Sequence, residues 1–210
     1  MDAVTAKPFS AEDFKLRAAR QSVFEPGTDY GDHRLNPDLR DMIVRPNLRD
    51  AAVLIPVVDH GGDANVLLTK RTEKMRSHSG QIAFPGGAID PTDASPEDAA
   101  VRETLEEIGL GAADIDVVGR MPDYVTGSGY RIVPVFGIVR PDYLLTINRD
   151  EVDDAFEVPL SFLMDPANHR RESRVWQDKE RFYYTMPFGE RYIWGVTAGI
   201  IRTLYERLYA

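Results

Sequence analysis

Three glutamates, Glu103, Glu106 and Glu107, stand within five residues of one another in the run Arg102-Glu103-Thr104-Leu105-Glu106-Glu107-Ile108-Gly109. On a helix, at about 100° per residue, they fall within an arc of roughly 100°, so one face presents three carboxylates together. Like charges at these spacings weaken an isolated helix by a few tenths of a kcal/mol per pair. A hard divalent cation held by oxygen ligands offsets that repulsion. Ions bound in this way activate water and neutralise the charge that grows on a phosphoryl group. Taken alone, the same pattern also describes a solvated acidic face.

The elements that position these residues are legible around them. Ser95-Pro96-Glu97-Asp98 is a strong helix start, with a serine cap, proline at the first position and acids in the first turn; Gly109 supplies the stop. The spacing predicts that Val101, Leu105 and Ile108 face a core opposite the glutamates. Upstream, Ala51–Val58 and Asn65–Thr69 read as two strands joined by His60-Gly61-Gly62-Asp63, and Gln81–Phe84 as a short strand stopped by Pro85-Gly86-Gly87. A glycine pair lets backbone approach a ligand or metal closely, although it also marks ordinary turns.

Further strands are expected at Val117–Arg120, Ile132–Val139, Ala155–Val158, Arg174–Gln177, Phe182–Thr185 and Tyr192–Trp194. Thr197–Leu208 reads as a closing helix. Near the amino terminus, Ser10 followed by Asp13 suggests a weakly amphipathic helix start. The expected fold is α/β, a mixed sheet sandwiched between helices in one domain over 48–210, with residues 1–47 as an accessory segment packing on it.

Several functions are excluded by composition. The net charge of -9 lacks the basic footprint of a general nucleic-acid binder, yet a local arginine cluster still permits a small anionic substrate. No cysteine occurs, which rules out disulfides, thiolate metal sites and cysteine nucleophiles. No run of eighteen apolar residues exists to form a membrane helix. The first residues, Met1-Asp2-Ala3-Val4-Thr5-Ala6-Lys7, do not resemble a secretory leader, so a cytoplasmic location is expected.

The spacing Gly87, five residues, Asp93, eight residues, Arg102-Glu103-Thr104-Leu105-Glu106-Glu107-Ile108-Gly109-Leu110 resembles the Nudix box. Asp93 replaces that pattern's first glutamate, one residue too far from the arginine, and Thr104 replaces an aliphatic residue. The resemblance covers about residues 48–208 and implies a Nudix fold and a magnesium- or manganese-dependent pyrophosphohydrolase. By resemblance, Glu103 and Glu107 are metal ligands. Glu106 is a further ligand or orients the attacking water, and a carbonyl of the Gly86-Gly87 turn completes the shell. Glu151 is the candidate extra ligand or general base.

Leu67-Leu68-Thr69-Lys70-Arg71-Thr72, then Arg76, Gly80 and Phe84-Pro85-Gly86-Gly87, resembles the signature of coenzyme A pyrophosphatases within that family. It implies coenzyme A as the small-molecule substrate, with Arg71 and Arg76 gripping its phosphates, and a homodimer as a plausible assembly. Arginine suits phosphate because its planar fork donates in pairs. Two other readings stay open: hydrolysis of ADP-ribose, a dinucleoside polyphosphate or another nucleoside diphosphate derivative, and a ligand-sensing domain without catalysis. The second is disfavoured by the intact glutamates and the lack of a basic helix-turn-helix region.

Overall fold

A computed structural model describes residues 6–21, 30–74, 78–176 and 178–210. Helix α1, Ala11–Arg20, is capped by Ser10, whose hydroxyl accepts from the Asp13 amide at 3.1 Å. Strand β1, Tyr30–Gly31, precedes two 3-10 turns and the short helix α2, Arg40–Ile43. Next come β2, Arg49–Val58, β3, Asn65–Arg71, β4, Ile82–Ala83, and β5, Gly86–Ala88. Helix α3, Pro96–Ile108, is followed by β6, Ile115–Arg120, β7, Tyr124–Val125, β8, Tyr130–Val139, and β9, Val152–Pro159. The chain closes with α4, Leu160–Leu163, β10, Arg170–Trp176, β11, Lys179–Phe188, β12, Arg191–Trp194, and α5, Val196–Leu208.

Among the described residues, nine strands form a mixed sheet in the order β1-β7-β8-β2-β3-β4, with β5 paired to β2, β6 to β8 and β9 to β3. The long parallel pair of β2 and β8, from Arg49↔Tyr130 to Val58↔Val139, is its spine. Strand β2 is apolar at successive positions because both faces are covered. Ala52 and Leu54 pack with Ala99 and Ala100 of α3, whereas Ile55 and Val57 join the core that α1 and α5 fill with Phe14, Ile201 and Leu204. The sheet therefore lies between helices, as expected. A second sheet, β10-β11-β12, is fully antiparallel.

Most expected elements are present with longer bounds. The strand expected at Gln81–Phe84 is shorter, and the one expected at Arg174–Gln177 begins at Arg170 and is described to Trp176; Gln177 lies outside the described residues. Two local expectations need correction. Gly86 and Gly87 do not simply end a strand: they form β5 and pair with Val53 and Ala52. The buried side of α3 is Ala99, Ala100, Thr104, Glu107 and Ile108, while Leu105 is 52% exposed. The close packing of the helix on Ala52 and Leu54 explains this, because it favours small residues at the contact. Thr104 suits that position by donating its hydroxyl to the Ala100 carbonyl at 2.6 Å, so no polar atom is left unsatisfied.

Segments before residue 48 share this framework. Ala11, Phe14 and Ala18 enter the main core, and β1 pairs in parallel with β7. Asn36 ties the segment to the second sheet. Its side-chain amide donates to the Phe182 carbonyl at 3.0 Å, and its side-chain oxygen accepts from the Phe182 amide at 2.8 Å.

Candidate active site

Helix α3 holds its start and stop firmly. Ser95 Oγ accepts from the Asp98 amide at 3.1 Å, Pro96 occupies the first turn, and Gly109 ends the helix at φ 77°, a left-handed conformation that glycine adopts without strain. Between these ends, the buried side carries Glu107 inward until it is only 3% exposed. Its Oε2 accepts from the Gly86 amide at 3.2 Å, and Arg71 Nη1 lies 3.6 Å from its Oε1.

The two glycines of β5 are needed for close approach. A Cβ on Gly86, at φ 148°, would collide with the Ala52 carbonyl of β2. One on Gly87 would run into the Glu103 carboxylate. Glycine at both positions thus lets a strand edge lie against the glutamate face.

Electrostatics distinguish the three helix glutamates. Burial pushes the Glu107 carboxyl up to about 7. The Gly86 amide and Arg71 oppose this shift, while Glu151 and Glu103 reinforce it. Burial also raises Glu103, against the pull of the neighbouring Arg102. Glu106 is different: its side chain is 56% exposed, it lies 3.4 Å from Arg102, and it is not part of the cavity lining.

Arg102 is the organiser of this face, and its main partner is Asp93 rather than Glu106, four residues on at 3.4 Å. Its Nε and Nη2 donate to the two oxygens of Asp93 at 2.9 and 2.8 Å, and its Nη1 donates to Glu103 at 2.9 Å. A further bond reaches the Ala88 carbonyl at 3.2 Å. Arg102 holds Asp93 down at about 2. The aspartate that departs from the box pattern therefore docks the helix to the loop after β5.

Glu103, Glu107, Glu151, Arg71, Gly86 and Gly87 all line one cavity of about 760 Å³. Arg76 lies outside the described residues. Among the described residues, no three carboxylate or imidazole groups already close on a single point as a metal ligand set. The donor chemistry nevertheless fits a hard cation, since Glu103, Glu107 and Glu151 repel one another where burial disfavours their charge. A cation would offset both effects, with modest rotations of flexible side chains.

Sequence reading missed the far part of this cavity. Asp32 and Asn36 from the amino-terminal segment, and Arg174, Arg181, Tyr183 and Trp194 from the second sheet, also line it. Asp32 accepts from the Tyr124 hydroxyl at 2.9 Å and from the Gly127 amide at 2.7 Å. Those bonds fix the start of the 126–129 turn between β7 and β8. No local sequence signal pointed to the two arginines, because the pairing of Arg174 with Arg181 appears only in the register of β10 and β11.

Comparisons with known proteins identify the family. The family model described as the NUDIX domain matches residues 48–183. The chain is 42% identical over 166 residues to a protein of Cronobacter sakazakii named uncharacterized Nudix hydrolase NudL, covering 75% of this chain and 82% of that protein. It is 40% identical over 169 residues to the protein of the same name in Escherichia coli K12, covering 79% and 87%. Among solved structures, a NUDIX hydrolase from Alicyclobacillus acidocaldarius matches with a TM-score of 0.48 at 21% identity, covering 78% of this chain and 93% of the other. The chain belongs to the Nudix family of hydrolases, enzymes that act on pyrophosphate-containing substrates.

Proposed function

We propose that the protein is a magnesium- or manganese-dependent pyrophosphohydrolase that cleaves coenzyme A to 4′-phosphopantetheine and adenosine 3′,5′-bisphosphate. The observation that carries this reading is the meeting of two motifs in one cavity: Arg71 of the Leu67–Gly87 signature stands 3.6 Å from Glu107 of the carboxylate helix. A guanidinium and a shielded carboxylate side by side suit a pyrophosphate that must be gripped while its charge is offset.

Glu103 and Glu107 would hold the ions, with Glu106 assigned as a further ligand by resemblance and the Gly87 carbonyl completing the shell. Divalent ions held there would neutralise phosphoryl oxygens and make water a better nucleophile. Arg71 orients one phosphate, and Arg76 is assigned the same task by resemblance. Glu151 accepts the proton of the attacking water, because it faces Glu107 and Glu103 and its own carboxylate is the least committed of the three. Water oxygen bonds to one phosphorus, the bridging P–O bond breaks, and its electrons leave on the other phosphate. Arg102 keeps Glu103 in place throughout, through its fork on Asp93.

A substrate panel with Mg²⁺ or Mn²⁺ tests the assignment. Coenzyme A is expected to turn over with a higher kcat/KM than ADP-ribose or a dinucleoside polyphosphate. Higher efficiency on either rival would transfer the protein to a different substrate class within the same chemistry.

A further inference from the structure

Arg174 and Arg181 face each other directly across the pair of β10 and β11. Side chains at such positions share one face of the sheet, and like charges there destabilise it. Among the described residues, neither guanidinium forms an ion pair with a carboxylate, and Arg181 Nε is buried without a hydrogen-bond partner. Glu172, two residues before Arg174 on the same face, is engaged elsewhere: it accepts from Thr185 at 3.0 Å and from the Tyr192 hydroxyl at 2.7 Å. Asp32 feels Arg181, and its two oxygens already serve Tyr124 and Gly127.

Aromatic rings hold Arg174 without neutralising it. Its guanidinium carbon lies 5.1 Å from the Trp194 ring centre, 5.8 Å from that of Trp176 and 6.0 Å from that of Tyr183. Tyr183 and Trp194 brace each other edge to face at 5.6 Å. Both arginines line the same cavity as Glu103, Glu107 and Glu151, but they stand on the second sheet rather than on α3 or β5. Two cations opposed across a strand pair repel each other. A dianionic ligand between them would convert the repulsion into two charge-assisted contacts.

We propose that Arg174 and Arg181 form a second anion subsite, which takes a phosphomonoester of the substrate remote from the pyrophosphate being cut. For the ligand this rests on the coenzyme A reading, whose 3′-phosphate is such a group. The subsite would make that phosphate a selectivity element, with Trp194 and Tyr183 bordering the space for the attached nucleoside.

Calorimetric titration of the full chain in Mg²⁺ with adenosine 3′,5′-bisphosphate and with AMP tests this, because the two differ only in the 3′-phosphate. The wild-type protein is expected to bind the bisphosphate more tightly by about tenfold or more, since the extra phosphate adds charge-assisted contacts. In the Arg174→Gln/Arg181→Gln variant that ratio should fall towards one, with Arg174→Lys intermediate. Melting temperature should hold or rise in the double variant, because an opposed like-charge pair has been removed. Equal wild-type affinities, or a ratio that survives the double substitution, would overturn the subsite. Coenzyme A turnover is not read here, so a collapsing ratio in a protein that does not cut coenzyme A would leave the subsite standing and refute the proposed function alone.

Discussion

At Glu107 burial and charge conflict. It is 3% exposed, and burial pushes its carboxyl up from the ordinary 4.5 to about 7. An acid whose folded-state value is raised favours the protonated fold. Its contribution to stability is therefore complete below about pH 4.5 and lost as pH rises through about 7. In EDTA, Glu107→Gln should be more stable than wild type at pH 8, by on the order of 1–3 kcal/mol, and the difference should vanish near pH 4. Thermal melts at both values check this; a less stable variant at pH 8 would contradict the electrostatic account. The helix glutamates were legible from spacing alone, but their inequality was not. Spacing places Glu103, Glu106 and Glu107 on one arc, whereas only packing shows that Glu107 is buried and Glu106 is exposed outside the cavity lining.

At the scale of elements, α3 and β5 work as a unit joined by two glycines and one arginine. Gly87→Ala should melt within a few degrees of wild type, because the clash falls on the flexible Glu103 side chain, yet lose activity as Glu103 is displaced. Gly86→Ala should instead destabilise the fold by about 1–3 kcal/mol, since its clash is with backbone at a φ of 148°. Parallel melts and rate measurements distinguish the two; equal loss of stability would contradict the assignment of Gly87 to the site. Asp93→Asn should lower kcat by roughly tenfold or more, in the range seen when groups that orient metal ligands are removed, with kinetics at saturating Mg²⁺ as the check. The cap at Ser95 and the stop at Gly109 were plain in the sequence because they are local signals. Leu105 was misplaced because the periodicity of apolar residues cannot see that the surface under α3 favours alanine and threonine.

The molecule as a whole builds its cavity from three places that lie far apart in the chain. The carboxylates come from the centre, Asp32 and Asn36 from the first fifty residues, and the arginine pair from the second sheet. Asn36 is the tie between the last two, so Asn36→Ala should loosen the cavity wall. Losing its bonds to Phe182 should destabilise the protein by about 1–3 kcal/mol, the cost of leaving buried partners unpaired. Denaturant unfolding reads this directly; an unchanged midpoint would show that the tie is dispensable. The fold class was legible, since a continuous apolar β2, a capped α3 and a closing α5 need only local pattern. The far part of the cavity was not, because no local signal links Asn36 to Phe182 across 146 residues.

The central claim is that Glu103 and Glu107 direct water onto a pyrophosphate phosphorus with the help of a divalent ion. Hydrolysis of coenzyme A in ¹⁸O-water with Mg²⁺, followed by mass spectrometry of both products, tests it most directly for wild type and Glu107→Gln. The account predicts a single ¹⁸O on one phosphate of one product, loss of the reaction in EDTA, and a fall of roughly 100-fold or more in the variant. Unchanged turnover in Glu107→Gln, or products without the label, would contradict it.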